Sequence, residues 1–286
     1  FVLLACQPDE IGVQYGQSTE KQIGSRGFWL INEGVWGYGN ASVSFYDIDR
    51  QQLSNRVFHN RNMHALGDVA QSMFVDDSDY YLVLNGSSAI VVCDAEMNKK
   101  TTLAPFTSPR YMAKISPDFF VVSDLYANRI HKIHQGKIST FCQTTSWTEK
   151  MVVLGEHLFV QQKSFNGQNT EQEVVLKINF QGNIVDTLLV GSAYSNFKKT
   201  SDNRISFLKD TSNDSSVFCL VDADLNIETT TLPHKANHVV FDGEMLYYAA
   251  DSLYAFALSA GQPKGLLSLE NRVIYNMTLK ENLLLI

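Results

Sequence analysis

Cysteine is scarce in this 286-residue chain, with four residues and no C-x-x-C pair. A secreted disulfide scaffold is excluded at that density. Cys93, Cys142 and Cys219 lie inside apolar, strand-like runs and read as small buried thiols. No apolar run approaches the length of a membrane-spanning helix. Positive charge is also short. Thirty acids against 23 bases give net −7, with no long Lys/Arg stripe, so nucleic acid is excluded as a partner. There is no G-x-S-x-G, no phosphate-binding glycine loop and no dinucleotide fingerprint. Ser195-Asn-Phe-Lys198 and Ser201-Asp-Asn203 share letters with the boxes of penicillin-recognising enzymes, but both fall within one strand–turn–strand, where a serine box would need to open a helix. His131-x-x-His134 lies on an expected strand, whose residues three apart face opposite sides, so it is no metal site. Neither a metal nor a cofactor is expected.

What the chain does have is a repeat. Apolar content of 44% with 19% charged residues is that of a globular protein. The stretches QSMFVDDSDYYLVLNGSSAIVVCDAE, RYMAKISPDFFVVSDLYANRIHKIH, EKMVVLGEHLFVQQKS, SNFKKTSDNRISFLKD, NHVVFDGEMLYYAADSLYAFAL and YNMTLKENLLLI share one form. Each opens on a polar pair, followed by a short apolar strand, a polar turn and a second strand. Anchors at Met73, Met112, Met151, Phe197, Val239 and Met277 are spaced 39, 39, 46, 42 and 38 residues apart. Val, Ile, Phe and Tyr fill the strands, and helical periodicity is hard to find. Fourth strands such as NIVDTLLV and NIETTTL close several units. Four strands per unit of this length are the mark of a β-propeller blade.

The expectation is therefore an all-β fold: one β-propeller over residues 27–286, seven-bladed, with four-stranded antiparallel blades. The first group, FWLINEGVWGYGNASVSFYDIDRQQLSNRVF, lacks its first strand, and the chain stops at Leu283-Leu284-Leu285-Ile286 within a second strand, so the last blade reads as truncated. The alternative is a six-bladed ring in which the C-terminal segment pairs with the N-terminal group.

Propeller function lives in the loops, because the strands are committed to packing. Second-to-third-strand loops carry Trp36, Tyr38 and Asn40, then Tyr126 with Asn128, then Phe165 with Asn166. Between-blade loops add Asn60, Arg61 and His64, with Trp147 and Tyr194 further on. The polar pairs opening the first strands are Gln71-Ser72, Arg110-Tyr111, Glu149-Lys150, Ser195-Asn196, Asn237-His238 and Tyr275-Asn276, expected to ring the mouth of a central channel. Aromatics offer contact area and amides both donate and accept, which suits a large polar ligand with apolar surface. Read more plainly, inner strands begin with polar residues wherever water enters. The binding set is thus Trp36, Tyr38, Asn40, Asn60, Arg61, His64, Arg110, Tyr111, Tyr126, Trp147, Lys150, Phe165, Tyr194, Asn196, His238 and Tyr275, with no catalytic residue assigned. Arg110, Glu149 and His238 would suit lactone chemistry if they converged, and this is the enzymatic alternative.

Two resemblances bear on identity. FVLLACQPDE resembles a lipoprotein signal: Leu-Leu-Ala-Cys is similar to a lipobox, which implies lipidation of Cys6, and Asp9-Glu10 resembles a surface-export signal. Residues 1–26 then read as signal remnant, lipobox and linker, the other reading being an ordinary strand with a buried cysteine. The phrases SFYDID, VVCDAE and CLVDAD resemble YncE-like (YVTN-type) propeller repeats. FWLINEGVWGYGNASVSFYD, LGDVAQSM and SPRYMA together resemble surface lipoprotein propellers of Bacteroidota type, a resemblance that points to the cobalamin-capturing members of that group. That resemblance implies a non-enzymatic outer-membrane lipoprotein, anchored by lipid alone. It would capture a small nutrient, cobalamin first, and deliver it to a TonB-dependent outer-membrane transporter. A lactonase-type enzyme and a protein-interaction platform are the alternatives.

Overall fold

Several second and third strands, AIVVC, FFVVSD and SVFCLV among them, are apolar over consecutive positions, and the reason is that both faces of their sheets are covered. A computed structural model describes residues 26–163, 173–210, 214–258, 261–270, 272, 274–280 and 283–286. The first sheet has three antiparallel strands, β1 (Gly27–Asn32), β2 (Ser42–Asp47) and β3 (Gln52–Ser54), followed by a short helix, α1 (Val57–Asn62). Five four-stranded sheets follow, each in sequence order. They are β4 (Ala70–Asp76), β5 (Asp79–Leu84), β6 (Ala89–Cys93) and β7 (Lys99–Leu103); then β8 (Pro109–Ser116), β9 (Phe119–Asp124), β10 (Arg129–His134) and β11 (Lys137–Gln143). Next come β12 (Trp147–Leu154), β13 (His157–Lys163), β14 (Val174–Asn179) and β15 (Ile184–Leu189), then β16 (Tyr194–Lys199), β17 (Ile205–Asp210), β18 (Ser216–Val221) and β19 (Ile227–Leu232). The last complete sheet is β20 (His238–Phe241), β21 (Met245–Ala249), β22 (Ser252–Ala257) and β23 (Lys264–Ser268).

The fold is an all-β propeller with four-stranded antiparallel blades, but the expected seven blades become six. The seventh repeat forms only a two-stranded sheet, β24 (Thr278–Lys280) with β25 (Leu283–Leu285). Three residues per strand and one partner give too little ladder and too little face to make a blade. In the six-bladed alternative the C-terminal segment joined the N-terminal group, whereas β24 here has β25 as its partner. α1 is a second departure from the expected loop: Val57 and Phe58 turn inward and make one helical turn worth forming.

Among the described residues the chain divides into two compact units, one ending at Met151 and one starting at Val152. In the first, Leu82 and Leu84 of β5 join a core with Phe45, Phe58 and Met97. Val83, between them, faces a different core with Ile90, Phe120 and Val122. In the second unit Phe207 and Cys219 pack with Phe159 and Phe197, while Leu208 and Phe218 pack with Leu246 and Tyr248. Alternate residues of one strand thus feed two cores, which is why no polar alternation shows in the sequence. The fourth strands β7, β15 and β19 are mostly exposed and carry Thr, Lys and Glu, as edge strands do.

The Asp at the end of the third strand in several repeats has a structural cause. Asp94 accepts the amides of Glu96 and Asn98 at 2.9 Å, and Asp222 those of Asp224 and Asn226 at 2.9 Å, each building the turn into the fourth strand. Asn179 does the same with Gln181 and Asn183. Cys93, Cys142 and Cys219 are buried free thiols, and burial pushes Cys93 up to about 12 and Cys219 up to about 11.

Asp124, fully buried at the end of β9, ties one blade together. Its carboxylate accepts the amides of Thr107, Ser108, Tyr126 and Ala127 at 2.9–3.1 Å, and His131 Nε2 lies 3.1 Å away. His131 is buried and His134 exposed, the alternation the strand required. Burial alone would raise the Asp124 pKa, but the hydrogen bonds from His131 and the backbone outweigh it and hold the carboxyl below its ordinary range. A depressed pKa gives stabilisation that is complete above the unfolded value and lost as pH falls through the folded one. Asp124→Asn is therefore expected to cost about 3 kcal/mol at neutral pH. In urea unfolding the gap to the parent chain should narrow towards about pH 3; a gap independent of pH would show that the charge contributes nothing.

Candidate functional site

The polar pairs that open the first strands coincide with irregularities in the ladder. The β4–β5 register shifts between Ala70 and Ser72, β8–β9 between Pro109 and Met112, and β16–β17 between Ser195 and Lys198. Each shift inserts extra residues at the polar pair, and a bulge of this kind re-aims side chains that a regular strand would send to alternate faces.

In the first unit these pairs meet. The Arg110 guanidinium donates to both Glu149 oxygens, Nε at 3.0 Å and Nη2 at 3.1 Å, while Nη1 donates to Gln71 Oε1. Gln71 Nε2 reaches the Tyr111 hydroxyl at 3.2 Å, and Ser72 Oγ donates to the Arg110 carbonyl at 2.6 Å. Lys150 Nζ stands 5.8 Å over the Tyr111 ring. Burial, reinforced by the Glu149 charge, pushes the Tyr111 phenol up, so it stays protonated at neutral pH. Chemically this is a closed ion pair bridging β8 and β12, with its fork and carboxylate satisfied by each other.

A second feature of the same unit is the β1–β2 loop. Trp36 is 64% exposed and Tyr38 67% exposed, yet the backbone beneath them is braced. Val35 N donates to Asn40 Oδ1 at 2.8 Å, Gly37 N to Asp68 Oδ2 at 2.8 Å and Ala41 N to the Gly67 carbonyl at 3.1 Å. Gly34 has φ +79°, and a Cβ there would lie 2.7 Å from Asn40 Oδ1, so this position requires glycine. Asn40 is thus a brace beneath the aromatics. Asp68 was missed from the sequence as a functional support, although LGDVAQSM stood out as a stretch. Its partner is the amide of Gly37, a backbone group that no side-chain pattern announces.

Tyr126 is 54% exposed and meets Trp147 edge-to-face at 5.7 Å. Asn60 Nδ2 donates to the Asn55 carbonyl at 3.2 Å. Arg61 is half-buried on α1. His64 is exposed, with Nδ1 2.8 Å from the Ala65 carbonyl and its ring edge-on to Phe58. In the second unit Asn196 Nδ2 donates to the Asn237 carbonyl at 2.9 Å, and its Oδ1 lies 3.2 Å from His238 Nδ1. His238 thus works with Asn196, and Arg110 with Glu149. Tyr275 is 71% exposed. Tyr194 lies in the core, 2% exposed, with its hydroxyl donating to the Val174 carbonyl at 2.6 Å: it anchors the start of β16 and offers nothing to a ligand. Phe165, Asn166 and Cys6 lie outside the described residues.

The family model described as Domain of unknown function (DUF5074) matches residues 26–260. The chain belongs to that family. No curated protein sequence matches it. Among solved structures this DUF5074 chain is similar to the catalytically inactive virginiamycin B lyase of Staphylococcus aureus with quinupristin, at 13% identity and TM-score 0.63, covering 90% of this chain and 89% of that one. It is also similar to a 6-phosphogluconolactonase-like protein from Bacteroides fragilis, at 11% identity and TM-score 0.56, covering 83% and 79%. A third is the extracellular domain of a protein assigned to the hybrid two-component systems of B. thetaiotaomicron, at 13% identity and TM-score 0.60, covering 93% of this chain and 38% of that one. At these identities the likeness is one of fold.

The ion pair makes a prediction of its own. Arg110→Met or Glu149→Met alone should each cost about 3 kcal/mol, because each strands a largely buried charge. The double variant should cost less than either, and chemical unfolding of all four chains measures the difference.

Proposed function

We propose that this propeller is a non-enzymatic capture protein for a small nutrient, with cobalamin the leading ligand. The observation that carries the reading is the braced loop holding Trp36 and Tyr38 out to solvent. Large apolar rings on a pre-ordered backbone bind with little ordering cost, and aromatic anchors dominate recognition surfaces. A corrin is broad, partly apolar and fringed with amides, which suits large aromatic rings of this kind. The reading extends to a lipid anchor at Cys6, the outer face of the outer membrane, and transfer to a TonB-dependent transporter. It draws support from the lipobox-like opening and from the likeness to an extracellular domain. Among the described residues no helix is long and apolar enough to cross a membrane.

Cobalamin titrated into the chain by calorimetry should give saturable binding without turnover. Trp36→Ala and Tyr38→Ala should each weaken it by about tenfold or more, as removal of an aromatic anchor does. Absence of binding removes cobalamin as the ligand while leaving the propeller untouched.

A second reading is a lactonase- or lyase-type enzyme, favoured by the largely buried Arg110–Glu149 pair and by the named activities of two fold neighbours. It predicts turnover of a lactone lost in Glu149→Gln or Arg110→Ala. Rates unchanged in both would rule that pair out as catalytic.

A further inference from the structure

Two consecutive residues of β8 reach the same side chain, which a regular strand forbids. Arg110 Nη1 donates to Gln71 Oε1, and Gln71 Nε2 donates to the Tyr111 hydroxyl at 3.2 Å. In a pleated strand residues 110 and 111 would point to opposite faces. The register shift between Pro109 and Met112 removes that alternation, and the shift in β4 between Ala70 and Ser72 falls at Gln71 itself. Neighbouring side chains hold the irregular backbone. Tyr111 N donates to the buried Ser123 Oγ at 3.1 Å, and Ser72 Oγ donates to the Arg110 carbonyl at 2.6 Å. The two bulges are built features, and their joint product is the placement of one phenol.

The direction of each hydrogen bond in this chain is fixed from its charged end. A guanidinium has only donors, so the Gln71 atom that faces Arg110 is the oxygen. The amide orientation is thereby settled, and its NH2 faces Tyr111. An NH2 only donates, so the phenol oxygen accepts and its single hydrogen points elsewhere. Among the described residues no hydrogen bond takes that hydrogen. Glu149 is engaged through both oxygens by Arg110. Burial and the Glu149 charge keep the phenol protonated at neutral pH, and the charge of Glu33, at the foot of the Trp36 and Tyr38 loop, adds to that push. Glu33 and Glu149 stand against Arg110 and Lys150, so the surroundings carry no net charge to draw an anion. Tyr111 is half-buried and keeps part of its surface open to solvent.

We propose that the Tyr111 hydroxyl is a ligand-binding donor, aimed at the carbonyl oxygen of an uncharged amide on the captured molecule. The inference rests on the capture reading and adds to it the group that recognises an amide, where Trp36 and Tyr38 supply contact area. Aromatic area alone accepts any broad apolar ring. A directed donor discriminates, because a ligand without a matching acceptor leaves it unpaired. Gln71 is the positioning residue: its NH2, held by the Arg110 guanidinium, keeps the phenol hydrogen turned away from the protein.

The test titrates cobalamin, which carries primary amides, into the full chain and its variants by calorimetry. Tyr111→Phe keeps the ring and loses only the hydroxyl, and should weaken binding about fivefold or more. Gln71→Glu should do the same although the phenol remains. Its carboxylate can still meet Arg110 but accepts where the amide donated, so the Tyr111 hydrogen turns inward. In the Tyr111→Phe background Gln71→Glu should add nothing further, whereas a merely structural defect would add its own loss. Tyr254→Phe, in the second unit, should bind as the parent chain does. Equal binding by the parent chain and Tyr111→Phe overturns this inference and leaves the capture reading standing, and so do additive losses in the double variant. No binding by the parent chain removes both together.

Discussion

Burial of both faces of the middle strands is the constraint on which the rest of this molecule depends. In β5, Leu82 and Leu84 face one core and Val83 another; in β17 and β18, neighbouring residues divide between cores in the same way. A sheet apolar on both sides cannot stand alone in water. It needs a neighbouring sheet on each side, and repetition of the same unit supplies one. The fourth strands, with Thr, Lys and Glu outward, end each sheet where no further partner comes.

With the strands committed to packing, polar chemistry is confined to their ends, and bulges decide how it is aimed. The shifts at Gln71, at Arg110-Tyr111 and at Asn196-Phe197 occur where the polar pairs begin. One bulge serves the Arg110–Glu149–Gln71 network. Another separates Phe197, which the core requires, from Lys198, which faces a cavity. Aromatic exposure obeys the same economy: Trp36 and Tyr38 stand in solvent only because Asn40, Asp68 and Gly67 hold the backbone below them.

The repeat made the fold legible early. Anchor spacing near 40 residues, polar turns between first and second strands, and polar fourth strands located the blades. The Asp after several third strands was visible as a phrase and acquired its cause in the turn it caps. Blade number was less legible, because six repeated anchors and an opening group without its first strand count seven groups, whereas the last of them pairs only two short strands. At the C-terminus Met277 holds a core position, yet β24 and β25 have three residues each. Candidate residues divided similarly. Trp36, Tyr38, Tyr126 and Tyr275 are exposed, whereas Tyr194 reads identically in the sequence and is buried on the Val174 carbonyl.

Composition and periodicity by themselves determined an all-β repeat protein and the buried state of its three described cysteines, because those follow from the repeat and from which residues water rejects. Tertiary structure alone decided which polar residues meet. Arg110 and Glu149 are 39 residues apart and joined by two hydrogen bonds; Lys198 turns towards Ser206 through one inserted residue. Such pairings depend on register and on the placement of neighbouring blades, and a change of one residue in register reverses the face on which a side chain appears.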